Sequence, residues 1–410
     1  MNAAWLAGAW AATGIAAGLA PARLRRPAAL VAPLLLVVLS LLTPQSGALP
    51  EPLGGQGLAL PHAAAGVVAA GAAALWFCLL LTESLDGREL IGVGTVGGAV
   101  VLLLSTGSPL LFGVAALLAV AALTLRWVAT APTRATLAAG RVAGMGAAAL
   151  IAASLLLPAA VSPDAQPGVV AGLLAVGVLA LAAVVPLGGW AAGALADLPA
   201  SYFATWLLLL APAVLLSAFA MAGALPLVAG LAFQHTLLAC GLGSAIWAAV
   251  QTLRAGPATR YGRLALGDLS LMAAGIGTAE PAALAGGLVL ILTHLVVAPL
   301  LLQRQRPGLG VPRRLAWLAL CGLPPSPAFW GRFLVLEACA AFGAPAAAGC
   351  VVAGGLVTVA AILAAARGET DAGDPAPHYR RAAAWTLAVV ALGVGLAPMG
   401  AVHLVFGAGA

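Results

Sequence analysis

Long apolar segments alternate with short polar breaks along the whole chain. The segments are rich in Ala, Leu, Gly and Val, and their lengths suit helices that cross a bilayer core, which takes about 20 residues. None shows the sustained alternation of a membrane β-strand. The pattern therefore predicts an all-α polytopic membrane protein. The predicted membrane-spanning helices, about fourteen in number, are 3–20, 28–45, 62–82, 89–105, 109–125, 136–158, 168–186, 199–220, 227–250, 263–279, 282–302, 314–337, 346–366 and 382–405.

Prolines interrupt this pattern at two corresponding places. Pro186 ends the seventh predicted span, and Pro212 lies inside the eighth. Pro324 and Pro325 break the twelfth span, five spans later. Broken helices at matching positions are typical of transporters built from structural repeats, with a site near the middle of the membrane.

The breaks predict a division of the chain into four parts with two five-helix repeats. These parts are three N-terminal helices in 1–84, a first repeat in 85–220, a second repeat in 221–366, and a loop with the last helix in 367–410.

Composition excludes a soluble domain and gives no sign of a cofactor. The chain is 63% hydrophobic and only 7% charged, with a mean hydropathy of +1.10, so it has too few polar side chains to cover a water-exposed surface. Its five cysteines form no CxxC pair and lie in or beside apolar segments, which predicts small buried thiols. No haem, iron–sulfur, zinc or nucleotide signature is present, so we predict no cofactor.

The arginines are distributed unevenly between the two sides of the predicted topology. One alternating set of loops carries sixteen of the 18 basic residues: Arg23, Arg25, Arg26, Arg88, Arg126, Arg134, Arg254, Arg260, Arg263, Arg304, Arg306, Arg313, Arg314, Arg367, Arg380 and Arg381. The other set has no arginine and holds Glu51, Asp164 and Glu280. The positive-inside rule then predicts that both termini lie outside an energy-coupling membrane, such as the bacterial cytoplasmic membrane.

The same asymmetry explains the net charge of +6 and the pI near 9.6. Basic loops on one side of a membrane predict anionic lipids as partners and argue against nucleic acid. The basic cluster at 23–26 follows the first apolar segment instead of preceding it. This order predicts a retained helix and not a cleaved signal peptide.

A few polar side chains fall inside the predicted spans, where charge is costly and usually marks a pathway, an ion pair or an interface. These candidate ion-pathway residues are Arg141, His235, Asp268, His294, Arg332 and Glu337. Simpler interpretations also exist. The histidines could only hydrogen-bond neighbouring helices, Arg141 could reach the basic side of the membrane, and Asp268 could pair with Arg263. Arg332 lies beside a broken helix whose freed carbonyls need donors, and a guanidinium supplies five N–H groups.

Several stretches resemble one known family. CGLPPSPAFWGRF, residues 321–333, is similar to a GLPP…GFxGKF signature, and VVPLGGWAAGALADLPAS, residues 184–201, to VPFHxWLPDAxExAPTP. GRLALGDLS (262–270) resembles KRLLAYSSI, and THLVVAPLLL (293–302) resembles NHALFKALLFL. Residues 95–118 resemble a pair of helices carrying STLGMLLL and LFLGLELLSL. These signatures, in this order over 85–381, resemble the antiporter-like subunits of respiratory complex I, Mrp-type cation/proton antiporters and membrane-bound hydrogenases.

The resemblance implies a subunit associated with proton or cation translocation, yet most of the family's relay positions are changed. The family is understood to move protons along buried Glu, Lys and His, and this chain has no lysine. The relay positions fall on Ala115 or Ala116, Arg141, Leu181, Ala213, Ala298 and Arg332, with His294 kept beside one of them. A buried lysine can release its proton, whereas an arginine in practice cannot. A non-pumping structural subunit is therefore predicted, although protons could still pass through His294, Glu337, Asp268, His235 and water.

Two other functions stay open. A stand-alone secondary transporter would also suit broken helices and buried charges. An antiporter-like fold could also energise a partner protein for inorganic-carbon uptake. The resemblance itself implies other membrane subunits as partners, allows a quinone nearby, and assigns any redox centre to those partners.

Overall fold

The computed structural model describes residues 3–42, 62–81, 87–105, 109–130, 133–156, 167–188, 190–191, 200–302, 309–367 and 377–406. All regular secondary structure within these ranges is helical, as predicted. Glu51, Asp164, Arg304 and Arg306, and the predicted boundary at residue 84, lie outside them.

The helices of the first half follow the apolar segments closely. In chain order they are α1 (Ala3–Leu19), α2 (Ala22–Leu42), α3 (His62–Leu81), α4 (Gly87–Ser105), α5 (Pro109–Thr130), α6 (Arg134–Leu156), α7 (Pro167–Leu181), α8 (Ala200–Thr205), a π-helical segment (Trp206–Leu210) and α9 (Ala211–Ala224).

The second half continues in the same way. Its helices are α10 (Leu227–Arg254), α11 (Pro257–Ile276), α12 (Pro281–Leu301), α13 (Gly310–Leu320), α14 (Pro327–Phe342), α15 (Ala344–Ala366), α16 (His378–Leu396) and α17 (Pro398–Phe406). The predicted twelfth span is thus two helices, α13 and α14, separated by a loop that carries Pro324 and Pro325.

Six helices are each long and apolar enough to cross a membrane, counting only the described part of the chain. The number is seven if α16 and α17, which meet at 112°, form one bent span. The described part of the chain is therefore all-helical, and its long apolar helices are those of a membrane protein. The total of about fourteen crossings and the two five-helix repeats stay predictions.

Local sequence explains where the second-half helices begin. Proline is the first residue of α11, α12 and α14. A backbone N–H at this position has no acceptor within the helix, so the N–H that proline lacks costs no hydrogen bond. Ser326 caps α14, since its hydroxyl accepts a hydrogen bond from the Phe329 amide at 3.3 Å. These starts fix where the polar residues of α11, α12 and α14 lie along their helices.

Glycines let neighbouring helices approach closely, as in many membrane bundles. Gly286 of α12 lies against Gly331 of α14, where an added Cβ would meet the Gly331 carbonyl at 2.7 Å. Gly14 of α1 and Gly94 of α4 pack in the same manner, with 2.5 Å between an added Cβ and the facing Cα. The glycine between α12 and α14 therefore brings together two of the helices that form the site described below.

The basic ends of several helices lie next to one another. Arg26 at the start of α2 donates to the Tyr379 hydroxyl at the start of α16, at 2.8 Å. Arg367 after α15 donates to the Leu253 carbonyl at the end of α10, at 2.7 Å. These contacts join loops that the charge pattern assigns to one side of the membrane. The orientation of that side stays a prediction.

Candidate functional site

The predicted span 314–337 places the break between α13 and α14 near the middle of a bilayer crossing. The eleven residues of α13 rise about 16 Å, against a hydrocarbon core of about 30 Å. The loop 321–326 carries Pro324 and Pro325, which are exposed, and Gly322, whose φ is +66°. The helix end leaves backbone carbonyls without amide donors in an apolar setting.

Arg332, one and a half turns into α14, turns back to this break. Its side chain is buried, with the residue only 7% exposed. The Nη2 group donates to the carbonyl of Leu320, the last residue of α13, at 3.1 Å. Nη1 donates to the Thr358 hydroxyl of α15 at 3.0 Å. The guanidinium thus supplies donors to the broken helix.

Asp268 of α11 is the counter-charge of this arginine. Arg332 Nε donates to Asp268 Oδ1 at 2.8 Å, and Nη2 lies 3.1 Å from Oδ2, which makes the pair bidentate. Asp268 is 1% exposed. The carboxylate and guanidinium cancel each other's charge, so the buried site has no net charge when its histidine is neutral.

Two further side chains extend the network along α11 and α12. His294 Nε2 lies 3.1 Å from Asp268 Oδ2, and the Tyr261 hydroxyl lies 3.1 Å from His294 Nδ1. A carboxylate can only accept, so Nε2 carries a proton. In the neutral ring Nδ1 then accepts from Tyr261. We call Tyr261, His294, Asp268, Arg332 and Thr358 the ion-pair network.

A small cavity adjoins this network at Asp268 and His294. It has a volume of about 10 Å³, room for about one water molecule at most. Its other walls come from the segment around Pro212, from α11 and from α12: Leu207, Leu208, Pro212, Leu269, Met272, Leu290 and Ile291.

The first break, at the end of α7, is satisfied by neutral donors. Trp206 Nε1 donates to the carbonyl of Leu181, the last residue of α7, at 2.9 Å. Trp190 Nε1 donates to the Ala180 carbonyl at 3.3 Å. The Val185 amide, just before Pro186, donates to the Ser244 hydroxyl of α10 at 3.0 Å. Trp206 therefore does at the first break what Arg332 does at the second.

The space beside the first break is apolar. Trp190 and Trp206 meet edge to face with ring centroids 5.4 Å apart. The cavity beside them is lined by Val120, Leu123, Thr124, Ala143, Leu181, Trp190, Trp206 and Leu210. Leu181 and Ala213, at relay positions of the family that the sequence resembles, are both buried.

The π-helical segment just before Pro212 marks a second irregularity in this half. The Ala211 N–H donates to the Trp206 carbonyl, five residues back. The next residue, Pro212, has no backbone N–H to donate. Pro212 is buried and follows the π-helical segment, while Pro186 is exposed in the turn after α7. All four predicted helix-break prolines thus lie at or next to an irregular segment.

The other three predicted pathway residues lie outside the ion-pair network. Arg141 of α6, His235 of α10 and Glu337 of α14 are all exposed on the outer surface of the bundle. His235 Nδ1 donates to the Leu231 carbonyl at 2.7 Å. The alternative pairing of Asp268 with Arg263 does not form, because Arg263 donates to the Gln251 carbonyl at 3.0 Å instead.

Sequence reasoning did not identify Tyr261, Thr358 or Trp206. Tyr261 could have been found, since it lies seven residues before Asp268 and so on the same helical face. Thr358 lies in an Ala/Gly/Val-rich helix and Trp206 in an apolar run, and neither has a local signal that separates it from its neighbours.

Substituting Gly322 tests the close packing around Arg332. An alanine Cβ would be placed at a φ that disfavours it, against Arg332 Nη1 and 2.7 Å from the Thr358 hydroxyl. We expect Gly322→Ala to lower the free energy of unfolding by about 1–3 kcal/mol, measured as thermal unfolding in detergent. Gly354→Ala is the control, because nothing lies within 4 Å of an added Cβ there. Equal melting of both variants would contradict the tight packing.

Solved structures of other proteins share the fold of this chain. No model of a known protein family matches the sequence, and no curated protein matches it. Among solved structures, a chain of respiratory complex I from Thermus thermophilus is 21% identical, with a TM-score of 0.79, covering 97% of this chain and 98% of that one. A chain of the Mrp complex from Dietzia sp. DQ12-45-1b is 16% identical, with a TM-score of 0.82, covering 98% and 51% respectively.

A third similar structure is the membrane-bound sulfane sulfur reductase, an archaeal respiratory membrane complex. Its matching chain is 16% identical, with a TM-score of 0.81, and the match covers 96% of this chain and 76% of that one. The motif resemblance to the antiporter-like subunits is therefore confirmed as a likeness of fold.

Proposed function

We propose that this chain, which has a fold found in complex I, Mrp and sulfane sulfur reductase assemblies, is an antiporter-like membrane subunit of a multi-subunit energy-coupling complex. We propose further that it serves there as a structural subunit and does not itself carry protons across the membrane. The shared fold over nearly the whole chain supports the first part. The chemistry of the two helix breaks supports the second.

The ion-pair network is the observation that carries the non-pumping role. A relay residue must take up and release a proton in each cycle. Arg332, at a position where the family resemblance implies a lysine, keeps its proton, and its donors are committed to Asp268, Leu320 and Thr358. A bidentate, buried carboxylate–guanidinium pair is a fixed clamp between α11 and α14 and a poor station for a moving charge.

The first half supports the same conclusion. Its break is satisfied by indole N–H groups, which donate and cannot accept a proton. Among the described residues that line the adjoining cavity, Thr124 is the only polar one besides the two tryptophans. A proton path through this half would need acceptors or a chain of waters among these apolar side chains.

The alternatives have less support. A path through His294, Glu337, Asp268 and His235 would have to join two buried residues to two that lie on the outer surface. A stand-alone solute transporter needs a site larger than the cavity of about 10 Å³ beside Asp268. An energising role beside a carbon-uptake protein would require proton passage, which the ion-pair network disfavours.

Proton flux in vesicles tests this proposal. We expect the purified protein in liposomes, under an imposed membrane potential, to take up protons no faster than protein-free liposomes. Arg332→Lys should not raise the flux, because the first half stays closed by Trp190 and Trp206. Potential-driven uptake that disappears in a His294→Leu, Glu337→Leu variant would show that the chain conducts and would end the non-pumping proposal.

A further inference from the structure

The π-helical segment before Pro212 leaves two backbone carbonyls without their usual donors. In a regular α-helix the carbonyl of each residue accepts from the N–H four residues later. The Ala211 N–H, which would serve Leu207, donates to Trp206 instead. Pro212, which would serve Leu208, has no N–H. Both leucines are 1% exposed, and a buried carbonyl without a donor is costly in an apolar interior.

Asp268 offers a further acceptor close to this segment. A carboxylate has about four acceptor positions on its two oxygens. Within the described residues three are filled, since Oδ1 accepts from Arg332 Nε while Oδ2 accepts from Arg332 Nη2 and His294 Nε2. One acceptor position, on Oδ1, therefore remains for a donor from outside the ion-pair network.

The cavity beside Asp268 brings these acceptors together. Leu207 and Leu208 line it along with Asp268 and His294. Its volume of about 10 Å³ corresponds to roughly one water molecule, and a buried water needs about two to four polar partners. The π-helical segment and the carboxylate supply acceptors for both hydrogens of such a water.

We propose that this cavity is a binding site for one ordered water molecule. The water donates one hydrogen to the Asp268 carboxylate and the other to a carbonyl of the π-helical segment, that of Leu207 or Leu208. It thereby joins this segment to α11 and satisfies a carbonyl that the helix cannot. Pro212 creates the site, because it removes the N–H that would otherwise occupy the carbonyl.

The site is independent of the proposed function. Apart from Asp268 and His294, the described residues that line the cavity are apolar. The water therefore ends the ion-pair network at backbone carbonyls, which accept hydrogen bonds and do not take up protons.

A metal ion fits the cavity less well than water. Asp268 already has Arg332 as its counter-charge, so an added cation would leave a buried site with a net positive charge. Hard cations such as Ca²⁺ also take about six to eight oxygen ligands. Among the described lining residues, Asp268 is the only one with a side-chain oxygen.

Diffraction from crystals of the full-length protein grown in lipid tests the site, at a resolution at which ordered surface waters are visible. The unaltered protein is compared with Pro212→Ala, which supplies the missing N–H. Pro299→Ala is the matched control, because Pro299 is also a buried proline within a helix and does not line the cavity. Gel filtration and thermal unfolding establish that each variant folds.

We expect one density peak about 2.5–3.0 Å from Asp268 Oδ1 and from the carbonyl oxygen of Leu207 or Leu208. The peak should be lost in Pro212→Ala, because the new N–H occupies the carbonyl. It should remain in Pro299→Ala. The map of the unaltered protein decides the question even where a variant does not fold.

Other results overturn the inference in distinct ways. A cavity without density, in a map that resolves surface waters, would show that the cavity is dry. Density about 2.0–2.6 Å from several oxygens would identify a metal ion instead of water. A peak that is unchanged in Pro212→Ala, or lost equally in Pro299→Ala, would contradict the role of Pro212 in creating the site.

Discussion

Replacing Arg332 with leucine is expected to destabilise the protein by about 3–5 kcal/mol, because it leaves Asp268 as an uncompensated buried charge. The same change removes the donors to the Leu320 carbonyl and the Thr358 hydroxyl, so the broken helix also loses its cap. Asp268→Leu should be similarly damaging, since it leaves the guanidinium unpaired. The measurement is thermal unfolding of the purified variants in detergent, followed by loss of the monodisperse peak in gel filtration.

A double variant separates the cost of an unpaired charge from loss of the pair itself. Buried ion pairs replaced by apolar residues of similar volume are often close to neutral. We therefore expect Arg332→Leu combined with Asp268→Leu to melt above either single variant. Additive losses in the double variant would mean that the two charges do not stabilise each other, and the pair would not be the clamp proposed here.

Trp206→Leu is expected to have an effect of similar size at the first break, again about 3–5 kcal/mol. Trp206 is among the largest fully buried side chains, so the substitution opens a cavity. It also removes the indole donor from the Leu181 carbonyl, which no water in an apolar interior can replace. Thermal unfolding in detergent measures the sum of these losses.

Two further variants separate the cost of the cavity from the cost of the lost indole donor. Trp206→Phe keeps an aromatic ring and loses the donor, and we expect about 1–3 kcal/mol of destabilisation from it. Trp190→Phe should cost less, since its bond to the Ala180 carbonyl is longer, at 3.3 Å. If Trp206→Phe melted like the unaltered protein, the indole donor would not support the break.

The helical class and the positions of many helices could be predicted from the lengths of the apolar segments. A bilayer fixes how long a membrane helix must be, so a predicted span such as 346–366 differs little from the observed α15, Ala344–Ala366. The proline break at 324–325 and the need of its carbonyls for donors were also readable, since both follow from local chemistry. Arg332 was thus assigned to the broken helix from the sequence, and its contact with Leu320 agrees.

The partner of Arg332 could not be predicted, because it comes from a helix distant in the sequence. Asp268 lies 64 residues before Arg332, and the nearer candidate for Asp268 was Arg263. Ala- and Gly-rich helices are apolar all round, so their sequence does not reveal which face meets a neighbour. For the same reason the outward positions of Arg141, His235 and Glu337 emerged only from the structure.

If the proposed non-pumping role holds, the two breaks explain how the fold can be kept without a proton relay. Each break needs a donor for the carbonyl at the end of the first helix segment, and a lysine-free chain supplies an indole at one and a guanidinium at the other. Both groups hold their protons. Trp206 and Arg332 would then both stabilise the broken helices and leave the chain without a proton relay at these positions.

Mass spectrometry of what co-purifies with the tagged protein from native membranes in mild detergent tests the central claim most directly. The account predicts redox subunits or other antiporter-like subunits in defined ratios to this chain, which would also identify the assembly. Recovery of the chain alone, or only as a homo-oligomer, would contradict its role as a subunit and favour a stand-alone transporter.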